Sequence, residues 1–145
     1  MIRHETTIHI NCPLESAFAF VATSDHFKKW QSDLQEHVKL TDAPLAVGSR
    51  FREVRQFGGP SIQIQAEVTV FERNKRLVTQ TTSMPQVTMS YDFASEGTGT
   101  RLRYEFTMTS SGMMKLMEPV ITASIKQLTT SNLDRLKSLL ESVDK

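Results

Sequence analysis

Four histidines, a lone cysteine, two tyrosines and a Glu53–Arg55 pair are the side chains of this chain whose types could do chemistry. Glu53 and Arg55 stand two residues apart on one strand pattern, in phase with Phe51 and Phe57. Facing inward, they form a buried pair that must satisfy itself and could polarise a ligand. If a bulge turns Val54 inward instead, both become surface charges, and the surface placement is the expectation. His4 and His9 fall on opposite faces of one strand, so they cannot share a metal ion. No His-x3-His or Cys-x2-Cys spacing involves His26, His37 or Cys12, and neither a metal nor another cofactor is expected. His4 shares a face with Ile8 and Ile10 and reads as a core or surface histidine. Cys12 precedes Pro13 with nothing basic beside it to form a thiolate, so it reads as a small buried residue. Gly-x-Ser-x-Gly, phosphate-loop and dinucleotide patterns are absent. No catalytic residue can be named from these patterns.

Polar groups set among apolar ones are more telling. Met89, Tyr91 and Phe93 should face Leu102, Tyr104, Phe106 and Met108 across a hairpin, with Met114, Met117, Ile121 and Ile125 above them. Much of this set is simply core. Five of the seven methionines (Met89, Met108, Met113, Met114 and Met117) fall in this neighbourhood, however, and methionine adapts to irregular ligands. Buried tyrosine hydroxyls need partners, which a ligand or pocket water could supply. Gln80 and Thr82 share a strand face, and Asn132 stands on an otherwise apolar helix stripe where its amide needs a hydrogen bond. The candidate ligand-binding set follows. Phe27 and Trp30 stand near a mouth. Gln80, Tyr91, Tyr104 and Asn132 are sparse polar anchors, and Met89, Met117, Ile121 and Ile125 form walls.

The elements that position these residues are legible from their periods. Ile2, His4, Thr6, Ile8 and Ile10 alternate with polar residues as an opening strand that Pro13 stops. Ser16 to Ala22 and Asp25 to Trp30 read as two short helices, the second capped by Ser24 or Asp25. Turn residues then recur at Asp42-Ala43-Pro44 and Gly48, at Gly58-Gly59-Pro60, at Asn74-Lys75 and at Gly97-Thr98-Gly99. Between them lie strand patterns, among them Ile62 to Val70, Leu77 to Met84, and the hairpin of Val87 to Phe93 with Leu102 to Met108. The segment from Gly112 to Lys145 has helix period, with Ile125, Leu128, Asn132, Leu136, Leu139 and Val143 on one stripe. At ~1.5 Å per residue its ~33 residues would run about 50 Å. Pro119 either separates Met113–Met117 as a first turn or kinks the helix at Glu118. Around it the sequence is apolar nearly all round, which marks this half as a cavity wall or gate. The order is strand, two short helices, about six strands and a long helix, an α+β chain.

Bulk properties exclude several classes. With 145 residues, residues 1–145 form most simply one domain with a real core. A net charge of +1 without a Lys/Arg run argues against nucleic-acid binding. No apolar run approaches the ~18–20 residues of a membrane helix, and the N-terminus lacks a secretory signal. The single cysteine suits a reducing, cytoplasmic setting.

In this order the motifs resemble the START-like (SRPBCC) superfamily, in particular its polyketide cyclase, dehydrase and lipid-transport branch. The likeness rests on Ile10-Asn11-Cys12-Pro13-Leu14-Glu15 leading to Ala17-Phe18 and Phe20-Val21, then Asp25 and Trp30. Val47-Gly48-Ser49-Arg50-Phe51, Asn74-Lys75-Arg76-Leu77-Val78 and Gly99-Thr100-Arg101-Leu102 continue it, and Leu133 to Glu141 closes it. The resemblance implies a helix-grip fold: a curved antiparallel sheet of six to seven strands around the C-terminal helix, with an apolar pocket between. It implies a binder of a hydrophobic or amphipathic small molecule, lipid or polyketide-like. Two alternatives stay open. One is a cyclase or dehydratase in which a tyrosine or Glu53 moves protons. The other is an interaction module like the chaperone-activator branch, with Leu116 and Val120 as a contact for a partner or for a second copy in a homodimer.

Overall fold

The computed structural model describes residues 1–56, 60–83 and 85–143, without the side chain of Val143. Expectations placed on Phe57, the Gly58-Gly59 turn, Met84 and the Val143 side chain lie outside the described residues. Strand β1 (Ile2–Ile10) leads into α1 (Leu14–Val21), a 3-10 turn (Ser24–His26) and the one-turn α2 (Phe27–Trp30). Six strands follow: β2 (Leu34–Lys39), β3 (Arg50–Arg55), β4 (Ile62–Glu72), β5 (Arg76–Thr81), β6 (Val87–Glu96) and β7 (Gly99–Met108). The chain closes with α3 (Met113–Leu116) and α4 (Glu118–Val143).

The strands form one antiparallel sheet in the order β1-β7-β6-β5-β4-β3-β2. Strands β2 to β7 therefore meander, and β1 returns to pair with β7 from Ile2 opposite Met108 to Ile10 opposite Thr100. The β6–β7 hairpin has the expected phase: Met89 opposes Phe106, Tyr91 opposes Tyr104 and Phe93 opposes Leu102. Its tight turn uses Gly97 at φ 64°. Gly99 answers a different need, because a Cβ there would lie 2.6 Å from the Ile10 carbonyl oxygen. Only a hydrogen lets β1 and β7 approach so closely.

Three expectations need correction. First, neither Ser24 nor Asp25 caps α2: Thr23 precedes the 3-10 turn without a side-chain capping bond, and the Ser24 hydroxyl is spent on His37. Second, the buried stripe of α4 is Ile125, Thr129, Asn132, Leu133, Leu136 and Leu140, with Leu128 and Leu139 only half-buried at its edges. Thr129 can sit in the stripe because Tyr104 takes its hydroxyl. Leu133, Leu136 and Leu140 are each worth roughly 1.5–3 kcal/mol on burial. Third, β3 has no bulge at Val54. The irregularity is on β2, between Leu34 and Glu36, and it turns His37 to the same side as its opposite residue Glu53. Phe51, Glu53 and Arg55 keep strict alternation and are all buried.

Pro119 takes the first of its two alternatives. It is the second residue of α4, where a missing N–H costs nothing, and α3 stands apart as its own turn. Met113 and Leu116 are open to solvent (81% and 82% exposed), and Met117 and Val120 largely so. The apolar start of this segment is thus mostly an outer surface rather than a wall.

Candidate functional site

A cavity of about 370 Å³ lies between the sheet and α4. Phe51, Ala66, Leu77, Met89, Tyr91 and Phe106 line it from five neighbouring strands, and Ile121, Ser124 and Ile125 from the helix. Strand alternation delivers the sheet residues: Leu77 opposes Tyr91, and Thr79 opposes Met89. Val21, Phe27 and Trp30 bring the short helices into the wall. Ile62 and Val120 also line it while remaining 38% and 58% exposed, so they mark its opening. The volume is near the lower end of small-molecule sites, and equals that of about a dozen waters at ~30 Å³ each.

One part of the wall is charged. Among the described lining residues, only Glu53 and Arg55 carry formal charge, and Gln31 stands with them. Arg55 Nη1 donates to Asp33 Oδ2 at 2.7 Å. Its Nε and Nη2 donate to Glu53 Oε1 at 3.1 and 3.0 Å, and Nη2 also donates to Gln31 Oε1 at 2.8 Å. His37 Nδ1 donates to Glu53 Oε2 at 2.7 Å, and the Ser24 hydroxyl donates to His37 Nε2. The neutral imidazole tautomer that satisfies both carries its proton on Nδ1. Behind Arg55 a second hollow of about 30 Å³, enough for a water, is lined by Asp33, Tyr104, Thr129 and Asn132.

The electrostatics follow from burial and pairing. Burial pushes the Glu53 carboxyl up, but Arg55 and His37 outweigh it and hold the group below the usual carboxylate range. Burial likewise opposes the Arg55 charge, and Glu53 and Asp33 more than offset it, so the guanidinium stays protonated. Burial, with Tyr104 beside it, raises Tyr91 well above the ordinary phenol value; burial raises Tyr104 too. Both phenols therefore keep their protons. Among the described residues, the Tyr91 hydroxyl has only the Met89 sulfur, at 3.8 Å. Trp30, which lines both hollows, has its indole N–H without a partner among the described residues.

The candidate residues of the sequence divide clearly. Phe27, Trp30, Gln80, Met89, Tyr91, Ile121 and Ile125 line the cavity. Trp30 is not at the mouth, however: it is 3% exposed, packs edge-on against Tyr91 at 6.0 Å, and forms an inner wall, with Phe27 equally buried. Tyr104 and Asn132 line only the smaller hollow. Asn132 makes three hydrogen bonds, accepting from Ser32 N and Oγ at 3.0 and 2.8 Å and donating to Asp33 Oδ1 at 3.1 Å. It pins α4 to the turn before β2 rather than waiting for a ligand. Met117 lies outside both linings and is 49% exposed. On β5 Leu77, Thr79, Gln80 and Thr81 line the cavity, and Thr82, just past the strand, does not.

The surface placement of Glu53 and Arg55 is overturned. Each is 4% exposed. Sequence reasoning missed the groups that make this affordable: Gln31 and Asp33 in the turn after α2, and His37 on β2. The one signal available was phase, since Glu53 and Arg55 share their alternation with Phe51. No three His, Cys, Asp or Glu side chains among the described residues are grouped to hold a metal ion. No helix among the described residues is long and apolar enough to cross a membrane.

Comparison with known proteins agrees with this geometry. Residues 1–141 match the family described as polyketide cyclase / dehydrase and lipid transport. A structure from Thermus thermophilus superposes with a TM-score of 0.83 at 15% identity, covering 99% of both chains. A START superfamily protein from Mycobacterium smegmatis gives 0.80 at 12% identity, covering 97% of this chain and 98% of its own. A protein from Mesorhizobium loti gives 0.75 at 20% identity over 99% of both. No curated protein matches the chain. A family match over nearly its whole length, on a seven-stranded antiparallel sheet gripping a C-terminal helix, establishes that the chain belongs to the polyketide cyclase / dehydrase and lipid transport family.

Proposed function

We propose that the protein binds a hydrophobic or amphipathic small molecule in the cavity between the sheet and α4. The observation that carries this reading is the cavity itself: about 370 Å³, apolar along most of its wall, open past Ile62 and Val120, charged at Glu53 and Arg55 beside Gln31 and Tyr91, with Thr79, Gln80, Thr81 and Ser124 as neutral polar groups elsewhere in the lining. Apolar walls with a few placed polar groups are the general form of a small-molecule site. A neutral, environment-sensitive dye should bind with roughly micromolar affinity, about 8 kcal/mol. Ile121→Trp, which fills the cavity, should weaken it about tenfold or more, while Leu116→Trp on the exposed patch should not. Weakening by Leu116→Trp alone would place the dye outside and refute the reading.

A second reading, turnover of the bound molecule, is favoured by one observation. Glu53 is held as a carboxylate in the cavity wall by Arg55 and His37, the state a general base requires.

A further inference from the structure

We propose that the molecule this cavity takes is a neutral amphiphile with a hydroxyl head, and that one with an anionic head is refused. This deepens the binding reading above and rests on it.

The charges around the polar end give the reason. Arg55 contributes +1, while Asp33 and Glu53, both bonded to it, contribute −1 each, so these three sum to −1. His37, bonded to Glu53, brings the cluster to zero if protonated and leaves it negative if neutral. In neither state is there net positive charge for an anion. A carboxylate entering here would lose its water and meet Glu53 with no free counter-charge. Four of the five N–H donors of the guanidinium that a fatty-acid anion would need, Nε, one hydrogen of Nη1 and both of Nη2, are directed at protein oxygens, and its charge is already met by Asp33 and Glu53.

A hydroxyl head, by contrast, finds both roles it needs. An ionised carboxylate has about four lone-pair sites. Glu53 uses three, two on Oε1 for Arg55 and one on Oε2 for His37, which leaves one to accept an incoming O–H. Donors to the hydroxyl oxygen are at hand. Among the described residues Tyr91 spends its O–H only on a thioether, and it stands close enough to feel the charges of Arg55, Glu53 and Asp33. Gln31 gives its amide oxygen to Arg55, and among the described residues no partner takes its NH2 group. The apolar remainder of the ligand then runs along Leu77, Met89 and Phe106 toward Ile62 and Val120.

The test is displacement of the neutral dye by 1-decanol and by decanoate, each below its aggregation limit, at about pH 8, where a carboxylate of pKa ~4–5 is fully ionised. Decanol should displace at least tenfold more tightly than decanoate. Tyr91→Phe removes one donor, and the only hydrogen bond it loses among the described residues is that to the Met89 sulfur, so the fold should hold. It should reduce the advantage of decanol over decanoate, both read as displacement of the dye from the same variant, about threefold to tenfold. Dye binding with decanoate displacing as well as decanol overturns the head-group inference and leaves the cavity reading standing. An unchanged decanol preference in Tyr91→Phe, Gln31→Leu and Glu53→Gln, each shown folded, also overturns it. Absence of dye binding removes the cavity reading, and this inference with it.

Discussion

Replacing Arg55 with methionine keeps an unbranched stem of similar length but removes the only positive charge between Asp33 and Glu53. Their side chains are 2% and 5% exposed, so neither carboxylate can recover water in place of the guanidinium. Breaking such a pair from one side costs about 3–5 kcal/mol. For a chain of this size that is roughly 6–20 °C in Tm, at about 2–4 °C per kcal/mol. The pH dependence gives the sharper signature. In the wild type Glu53 has a folded pKa below its unfolded value of 4.5, so its contribution is present above that value and lost as pH falls through the lower folded one. Without Arg55, burial, the largest influence on Glu53, faces only His37, and the folded pKa should rise above the unfolded one. The variant should then gain stability as pH falls from about 8 to 5, and the gap to wild type should narrow. His4, whose pKa burial lowers, destabilises both proteins alike on acidification and cancels in the difference. Urea unfolding followed by circular dichroism at four pH values measures this. Adding Asp33→Asn and Glu53→Gln to Arg55→Met should recover most of the loss, because a neutral polar cluster carries no stranded charge. A loss under ~1 kcal/mol with no narrowing toward low pH would show that Arg55 is not the buried counter-ion, against the cost expected for breaking a buried pair.

Two further expectations concern the frame. Leu136→Asp puts an unpaired charge at a position with 0% exposure and should cost several kcal/mol, on the order of the stability of a small domain, while Ser138→Asp on the open face should be nearly neutral; equal melting temperatures would contradict the facing of α4. Asn132→Ala removes the bonds to Ser32 and Asp33 and should cost about 1–3 kcal/mol in chemical denaturation, whereas a loss within ~0.5 kcal/mol would mean that α4 is not pinned there.

The frame was legible because it depends on local period. The alternation of Val87 to Phe93 against Leu102 to Met108 needed only the turn between them to set the register, and the structure has that register. Pro119 could be narrowed to two outcomes because its ring permits only a first-turn place or a kink. The charged end of the cavity was not legible. Whether Glu53 and Arg55 face inward depends on Gln31, Asp33 and His37, which come from a turn and from a strand whose phase is shifted by a bulge between Leu34 and Glu36. No local pattern in one sequence reports such a shift. Asn132 shows the same limit in reverse. Its burial was readable from the helix stripe, but its partners, Ser32 and Asp33, lie about a hundred residues earlier. Polar residues buried by tertiary partners read from sequence alone as surface groups or as unfilled ligand anchors.

The central claim, that a small apolar molecule enters between the sheet and α4, can be tested by methionine-methyl NMR during titration with the neutral dye. Met89 and Met108 line the cavity, whereas Met113 and Met117 stand on the outside, 81% and 49% exposed. Saturable shifts at Met89 and Met108, with Met113 and Met117 unmoved, are the predicted result. Shifts confined to Met113 and Met117 would put the molecule on the exposed patch and contradict the account.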